Sequence, residues 1–196
     1  MPEDCFKVLS SALDEGRSLD HERLFSSLQT FLLQDIETLS GIYQVEDGLA
    51  QRLVDAAMTA TSYADLTAAI KSRQWTLTRI QRILSYVLLQ ISSDEMNSFL
   101  ACGPLYLRLL GATEKGRQVL AASRKKRSLP MISDPARAQA VLRRFYSGRK
   151  DLGCLAERTL ACDLRATRLY GLLQQKPQLR HRNQDFFRDC LGLGKD

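Results

Sequence analysis

Apolar residues recur at three- and four-residue spacing along most of this chain, the signature of helices that bury one face. Leu24, Phe25, Leu28, Phe31, Leu32 and Ile36 form one such stripe, predicting an amphipathic helix that stops before Gly41. Asp47-Gly48 opens a second helix, with Leu49, Leu53, Ala56 and Ala57 on its apolar face. Ser62 is placed to cap a short helix over "YADLTAAIK". Thr76 then caps a strongly patterned helix whose stripe is Ile80, Ile83, Leu84, Val87, Leu88 and Ile91. Ser92 and Glu95, three apart, read as a capping box for the next helix, "MNSFLAC".

Gly103-Pro104 interrupts this pattern. Beyond it, "LYLRLLG" and "SLPMIS" read as short extended runs, a minor strand pair flanking the helical "TEKGRQVLAAS". Helical spacing resumes over "PARAQAVLRRFY" and again from about Asp151 to Gln174. Past Pro177 the chain is polar and basic, with one apolar pair, Phe186 and Phe187. The expectation is a mainly α fold: a single compact multi-helix domain over residues 1–196, with its core in 20–175 and a less ordered basic tail in 176–196. Ser147-Gly148 is the only candidate division.

Charge changes this picture. Up to Ile70 there are four basic and twelve acidic residues; from Lys71 onward there are twenty-four and ten. Such a gradient suits a polyanion on one face, nucleic acid above all, although a solvated basic surface explains it equally well. The segment "RQWTLTRIQRILSYVLL" sharpens the question, because Arg73, Arg79 and Arg82 crowd a helix start that ordinarily favours carboxylates. Lys71, Arg73, Thr76, Thr78, Arg79 and Arg82 bring cations and hydroxyls together within a dozen residues, the donor types that contact phosphate backbones. Trp75, the sole tryptophan, is placed either to stack on an unpaired base or to anchor a core. "SRKKRS" (123–128) is the densest basic run, and Arg143, Arg144, Arg149 and Lys150 form another group.

Other chemistry is sparse. Five scattered cysteines without a C-x-x-C pair argue against a disulfide framework and a zinc site, and predict reduced, mostly buried thiols. No P-loop, G-x-G-x-x-G, G-x-S-x-G or H-E-x-x-H motif is present. No run approaches the roughly 18 apolar residues of a membrane span, and the acidic start is unlike a secretory leader, so a cytoplasmic protein is expected.

Several stretches, in order, resemble the C-terminal helical region of the bacterial tRNA(Met) cytidine acetate ligases. "KSRQWTLTRIQRILSYVLL" is similar to that family's basic, aromatic, T-x-[ST]-R-[IL]-Q-R run followed by an apolar helix. "EDGLAQRL" precedes it as an E-G-L-like element, with Asp47 where the family usually has glutamate. "YLRLLGATEKGRQVL", "SLPMIS" and "LRATRLYGLL" follow. The resemblance implies a chemistry in which ATP activates acetate as acetyl-adenylate and the wobble cytidine of elongator tRNA(Met) is acetylated at N4. It carries RNA or interdomain contact onto Lys71, Arg73, Thr78, Arg79, Gln81, Arg82 and Arg108; Trp75, where the family more commonly has tyrosine, and the basic cluster Lys125, Lys126 and Arg127 join them as candidates. No H-x-G-H-type ATP motif appears. The expectation is therefore a tRNA-binding helical domain without its nucleotidyltransferase domain, with no catalytic residue, metal or cofactor of its own and ATP held elsewhere. The expected partners are tRNA and an N-terminal nucleotidyltransferase domain or chain. The alternative is a protein-interaction module docking such a chain, with RNA contact incidental.

Overall fold

Asp20, Asp35, Ser62, Thr76, Ser92 and Thr113 each accept hydrogen bonds from the first-turn amides of the helix that follows, so polar caps set these six helix starts among the described residues. The computed structural model describes residues 3–46 and 48–177. Asp47 and the tail residues His181, Phe186, Phe187 and Cys190 lie outside them. The described residues form two compact units, one comprising those up to Asn97 together with those from Leu169 on, the other Ser98–Arg168.

The first unit contains α1 (Glu3–Asp14), α2 (His21–Leu32), α3 (Ile36–Ser40), α4 (Leu49–Thr59), α5 (Tyr63–Ile70) and α6 (Leu77–Leu89). Its core joins Phe25, Leu28 and Leu32 of α2, Leu49 and Leu53 of α4, Leu66 and Ile70 of α5, and Ile80, Ile83, Leu84 and Val87 of α6. The apolar stripe expected for α6 thus faces inward, as does that of α4. Gly48 starts α4 with φ +72°, a backbone conformation that costs side-chain-bearing residues strain, and so explains a glycine there.

Two local expectations need correction. The helix beginning near Leu24 does not run through Ile36. Asp35 adopts extended backbone and starts the separate α3, accepting from Thr38 N and Thr38 Oγ1 at 2.7 Å each. Cap chemistry overrides the uninterrupted apolar spacing. The amphipathic α1 was not foreseen from the pattern, and Phe6, Leu9 and Leu13 on it are exposed.

The Asp35 cap gives a pH prediction. The Thr38 hydroxyl, and after it the Thr38 amide, hold the Asp35 carboxyl below its ordinary value of 3.8. A depressed folded-state value means that this group's stabilisation is present above the unfolded value and is lost as pH falls through the folded one. Thr38→Val removes the larger cause, so the Asp35 carboxyl should titrate at higher pH in the variant, followed by NMR. An unchanged titration would contradict the assignment.

The second unit contains the second half of α7 (Ser93–Cys102), then β1 (Leu107–Arg108), α8 (Glu114–Ser123), β2 (Met131–Ile132), α9 (Ala138–Phe145) and the greater part of α10 (Lys150–Leu172). The two strands do pair, in parallel, with Leu107 opposite Met131 and Arg108 opposite Ile132. Parallel pairing needs a crossover, and α8 supplies it. Ser147-Gly148 lies inside this unit, in the turn between α9 and α10.

Leu105, Ile132, Leu142, Tyr146, Ala156 and Leu160 build the second core. The buried Tyr146 hydroxyl donates to Leu105 O at 2.6 Å, and burial pushes its pKa up. Tyr146→Phe would leave that carbonyl unsatisfied, at an expected cost of about 1–2 kcal/mol in denaturant unfolding. No loss would remove the bond from the account. Cys5, Cys102 and Cys154 are exposed, contrary to the expected burial, because each falls on the outer face of its helix.

Candidate nucleic-acid interface

The residues singled out around α6 meet different fates. Trp75 is 5% exposed and packed in the first core. A turn holds it there: Trp75 N donates to Ser72 Oγ at 3.2 Å, and Ser72 N to Trp75 O at 3.2 Å. Of its two sequence-stated roles, the fold displays the anchor. The Arg79 guanidinium lies 4.2 Å from the centre of the indole ring and 3.6 Å from the Glu46 carboxylate. This resolves the crowding of arginine at the helix start. The first turn of α6 carries no acidic residue, but Glu46 brings one from a distant loop, and Thr76 caps the Arg79 amide.

Lys71, Arg73, Thr78, Gln81 and Arg82 are exposed. They present two hydrogen-bonding polar groups and three cations to solvent around the beginning of α6, chemistry suited to positioning a phosphate backbone. Arg52, which the sequence did not single out, supports this segment by donating Nη2 to Ala69 O and Lys71 O at 3.0 and 3.1 Å. It closes the end of α5 just before the exposed cations begin.

In the second unit, Arg108 sits half-buried on β1, and Lys125 and Lys126 are exposed beyond the end of α8. Arg127 differs from its two neighbours. It is half-buried, donating Nη2 to Leu120 O at 2.8 Å and Nη1 to Met131 Sδ at 3.2 Å, and its Nε is buried without an acceptor. A concavity of about 690 Å³ is lined by Arg124, Arg127 and Arg144 together with apolar Leu129, Val141 and Phe145. An adjoining concavity of about 300 Å³ brings in Arg117. Arg117 was missed because its helix looks ordinary in sequence, and its proximity to Arg127 arises only when the chain returns from α8 into β2.

Tyr106 donates to the Asp163 carboxylate of α10, and burial, then that bond and charge, push its pKa well up. It therefore serves as a neutral donor bracing α10 rather than as a base. Among the described residues no group of three or more His, Cys, Asp or Glu could hold a metal, and no helix is long and apolar enough to cross a membrane.

Comparison with known proteins adds the following. The family model HIGH Nucleotidyl Transferase matches residues 1–185. A tRNA(Met) cytidine acetate ligase of Syntrophotalea carbinolica is 41% identical over 193 residues, covering 98% of this chain and 46% of that relative. One from Thermotoga petrophila is 30% identical over 95% of this chain and 44% of its own length. The crystal structure of Thermotoga maritima TmcAL bound with alpha-thio ATP matches with a TM-score of 0.84 at 28% identity, over 97% of this chain and 46% of that one. The chain spans about half the length of the curated relatives it matches.

These findings overturn three expectations. A helical domain lacking its nucleotidyltransferase part does not fit, because the nucleotidyl transferase model itself runs over residues 1–185. The same match removes the support for a separate nucleotidyltransferase chain as partner, and with it the docking-module alternative. The expectation that ATP is held elsewhere falls too. Its physical weakness was reliance on one absent short loop motif, whereas family membership is carried by patterning along the whole match.

Proposed function

Because the chain belongs to the HIGH nucleotidyl transferase family, whose model covers residues 1–185, we propose that it acts in ATP-dependent acetate ligation to a cytidine of tRNA(Met). The observation that carries this reading is the match to the Syntrophotalea carbinolica ligase over 98% of this chain. Acetate would attack the α-phosphorus of bound ATP with release of pyrophosphate, and the cytidine N4 amine would then attack the activated carbonyl, expelling AMP and giving up a proton.

ATP and tRNA share one requirement, cationic donors for phosphate oxygens. Among the described residues, Arg124, Arg127 and Arg144 converge on a concavity that also offers Phe145 and Leu129 as apolar lining. That donor set fits a phosphate-bearing ligand, and these three arginines are the residues that would hold it. Lys71, Arg73 and Arg82, with Thr78 and Gln81, suit backbone contacts that orient tRNA without reading its sequence. Arg79 and Trp75 hold the start of α6 in place beneath them. Lys125 and Lys126 extend the basic surface of the second unit, and Arg108 lies on its strand β1. With tRNA as substrate, the protein works in the cytoplasm.

Equilibrium binding tests this reading. Alpha-thio ATP and a tRNA(Met) transcript should each bind saturably, and tRNA binding should weaken steeply with salt because each neutralised phosphate releases counterions. Failure to bind either one would contradict it.

A further inference from the structure

Arg117 and Arg127 share a small concavity, about 300 Å³, whose other lining is Leu109, Leu120, Ala121, Met131 and Ser133. No carboxylate lines it. Among the described residues Arg127 meets only neutral acceptors, Leu120 O and Met131 Sδ. Arg117 reaches one carboxylate, Glu114, through Nη2 at 3.1 Å, and that glutamate is 72% exposed. In both arginines Nε is buried without an acceptor. Two like charges on one hollow repel each other; the exposed Glu114 offsets this only weakly at Arg117, itself 39% exposed, and the neutral acceptors of Arg127 do not offset it.

Arg52 supplies the contrast. Its Nε is also buried without an acceptor, but the guanidinium is committed to two backbone carbonyls at the end of α5. At Arg117 and Arg127, the pairing, the hollow and the missing carboxylate occur together.

We propose that Arg117 and Arg127 form a phosphate-binding site, and that with Arg124 and Arg144 in the adjoining concavity they seat successive phosphates of an RNA backbone. Arg127, Met131 and Ser133 line both hollows, so the two seats are contiguous. A small hollow accepts one phosphoryl group, and its larger neighbour accepts the next together with the sugar and base between them. The RNA source rests on the tRNA reading above. The phosphate chemistry does not, since a nucleotide's phosphates would bring the same oxygens.

The test is a titration of the full chain with pyrophosphate, followed through the arginine Nε–Hε resonances by NMR. Those of Arg117 and Arg127 should shift together and saturate while that of Arg52 stays in place, and Arg117→Gln should weaken the Arg127 response at least tenfold. Absence of saturation, or an equal drift at Arg52, would overturn the site. Because Arg127 also ties the chain to Leu120, the exposed pair Arg124→Gln/Arg144→Gln provides a second readout. This pair should lower the slope of log affinity for tRNA against log salt by roughly 1.4–1.8, as expected for two lost phosphate contacts. Arg23→Gln, in the first unit and paired with Asp20, should leave the slope unchanged. Saturable pyrophosphate binding displaced by tRNA supports the RNA seat. Displacement by ATP but not by tRNA keeps the phosphate site and overturns its RNA assignment. A chain that binds no tRNA fails the reading above, and the pyrophosphate titration still decides the site.

Discussion

Trp75→Ala is expected to cost about 3–5 kcal/mol of stability, the usual penalty for emptying a large aromatic from a packed core. Trp75 is 5% exposed and shares its cluster with Leu66, Ile70 and Ile80. The loss should exceed the cavity alone in its consequences, because the ring also supports the Arg79 guanidinium 4.2 Å above it. With the indole gone, Arg79 keeps, among the described residues, the ion pair to Glu46, whose side chain is 65% exposed, a contact of little worth in water. Trp75→Phe fills much of the volume and should cost clearly less. Since the variant lacks the only tryptophan, unfolding by denaturant should be followed by circular dichroism. A loss below about 1 kcal/mol would show that Trp75 does not anchor the start of α6, against the range for such truncations.

The second large effect is on affinity. Lys71, Arg73 and Arg82 are exposed, and none is a core residue. Replacing all three by glutamine should leave the fold intact while weakening tRNA binding by about 10²-fold or more near 0.1 M salt. The salt slope should flatten by roughly 2–2.7, at 0.7–0.9 per lost phosphate contact. Charge alone predicts that the loss is nearly the same for different tRNA sequences, since backbone contacts position without specifying. An unchanged slope would place tRNA on another surface.

How far the sequence led depended on whether the determining contact was local. The α6 helix was legible because its cap, Thr76, and its stripe from Ile80 to Val87 lie within a dozen residues. The β1–β2 pair was visible as two short apolar runs, but its parallel sense was not, because that follows from the path of α8 between them. The break at Asp35 was hidden by apolar residues that keep helical spacing on both sides of it. One carboxylate accepting from Thr38 outweighed that spacing.

The candidate site divides along the same line. Exposed cations were readable, Arg82 from its place on a helix face and Arg73 from the polar stretch that precedes the helix. The tie between Arg79 and Glu46 joins residues 33 apart and leaves no local trace. Arg117 and Arg127 meet only because the chain turns back between α8 and β2. The absent H-x-G-H stretch misled in the opposite direction, since one missing motif weighed more than patterning that the family match extends over residues 1–185.

The central proposal is that this chain acts in acetate ligation on tRNA(Met). The most direct measurement incubates it with labelled acetate, ATP and a tRNA(Met) transcript, then digests the RNA and separates the nucleosides. The account predicts label in N4-acetylcytidine that depends on ATP and is lost when the target cytidine is replaced. Label absent from cytidine, with folded chain and bound tRNA both verified, would contradict it.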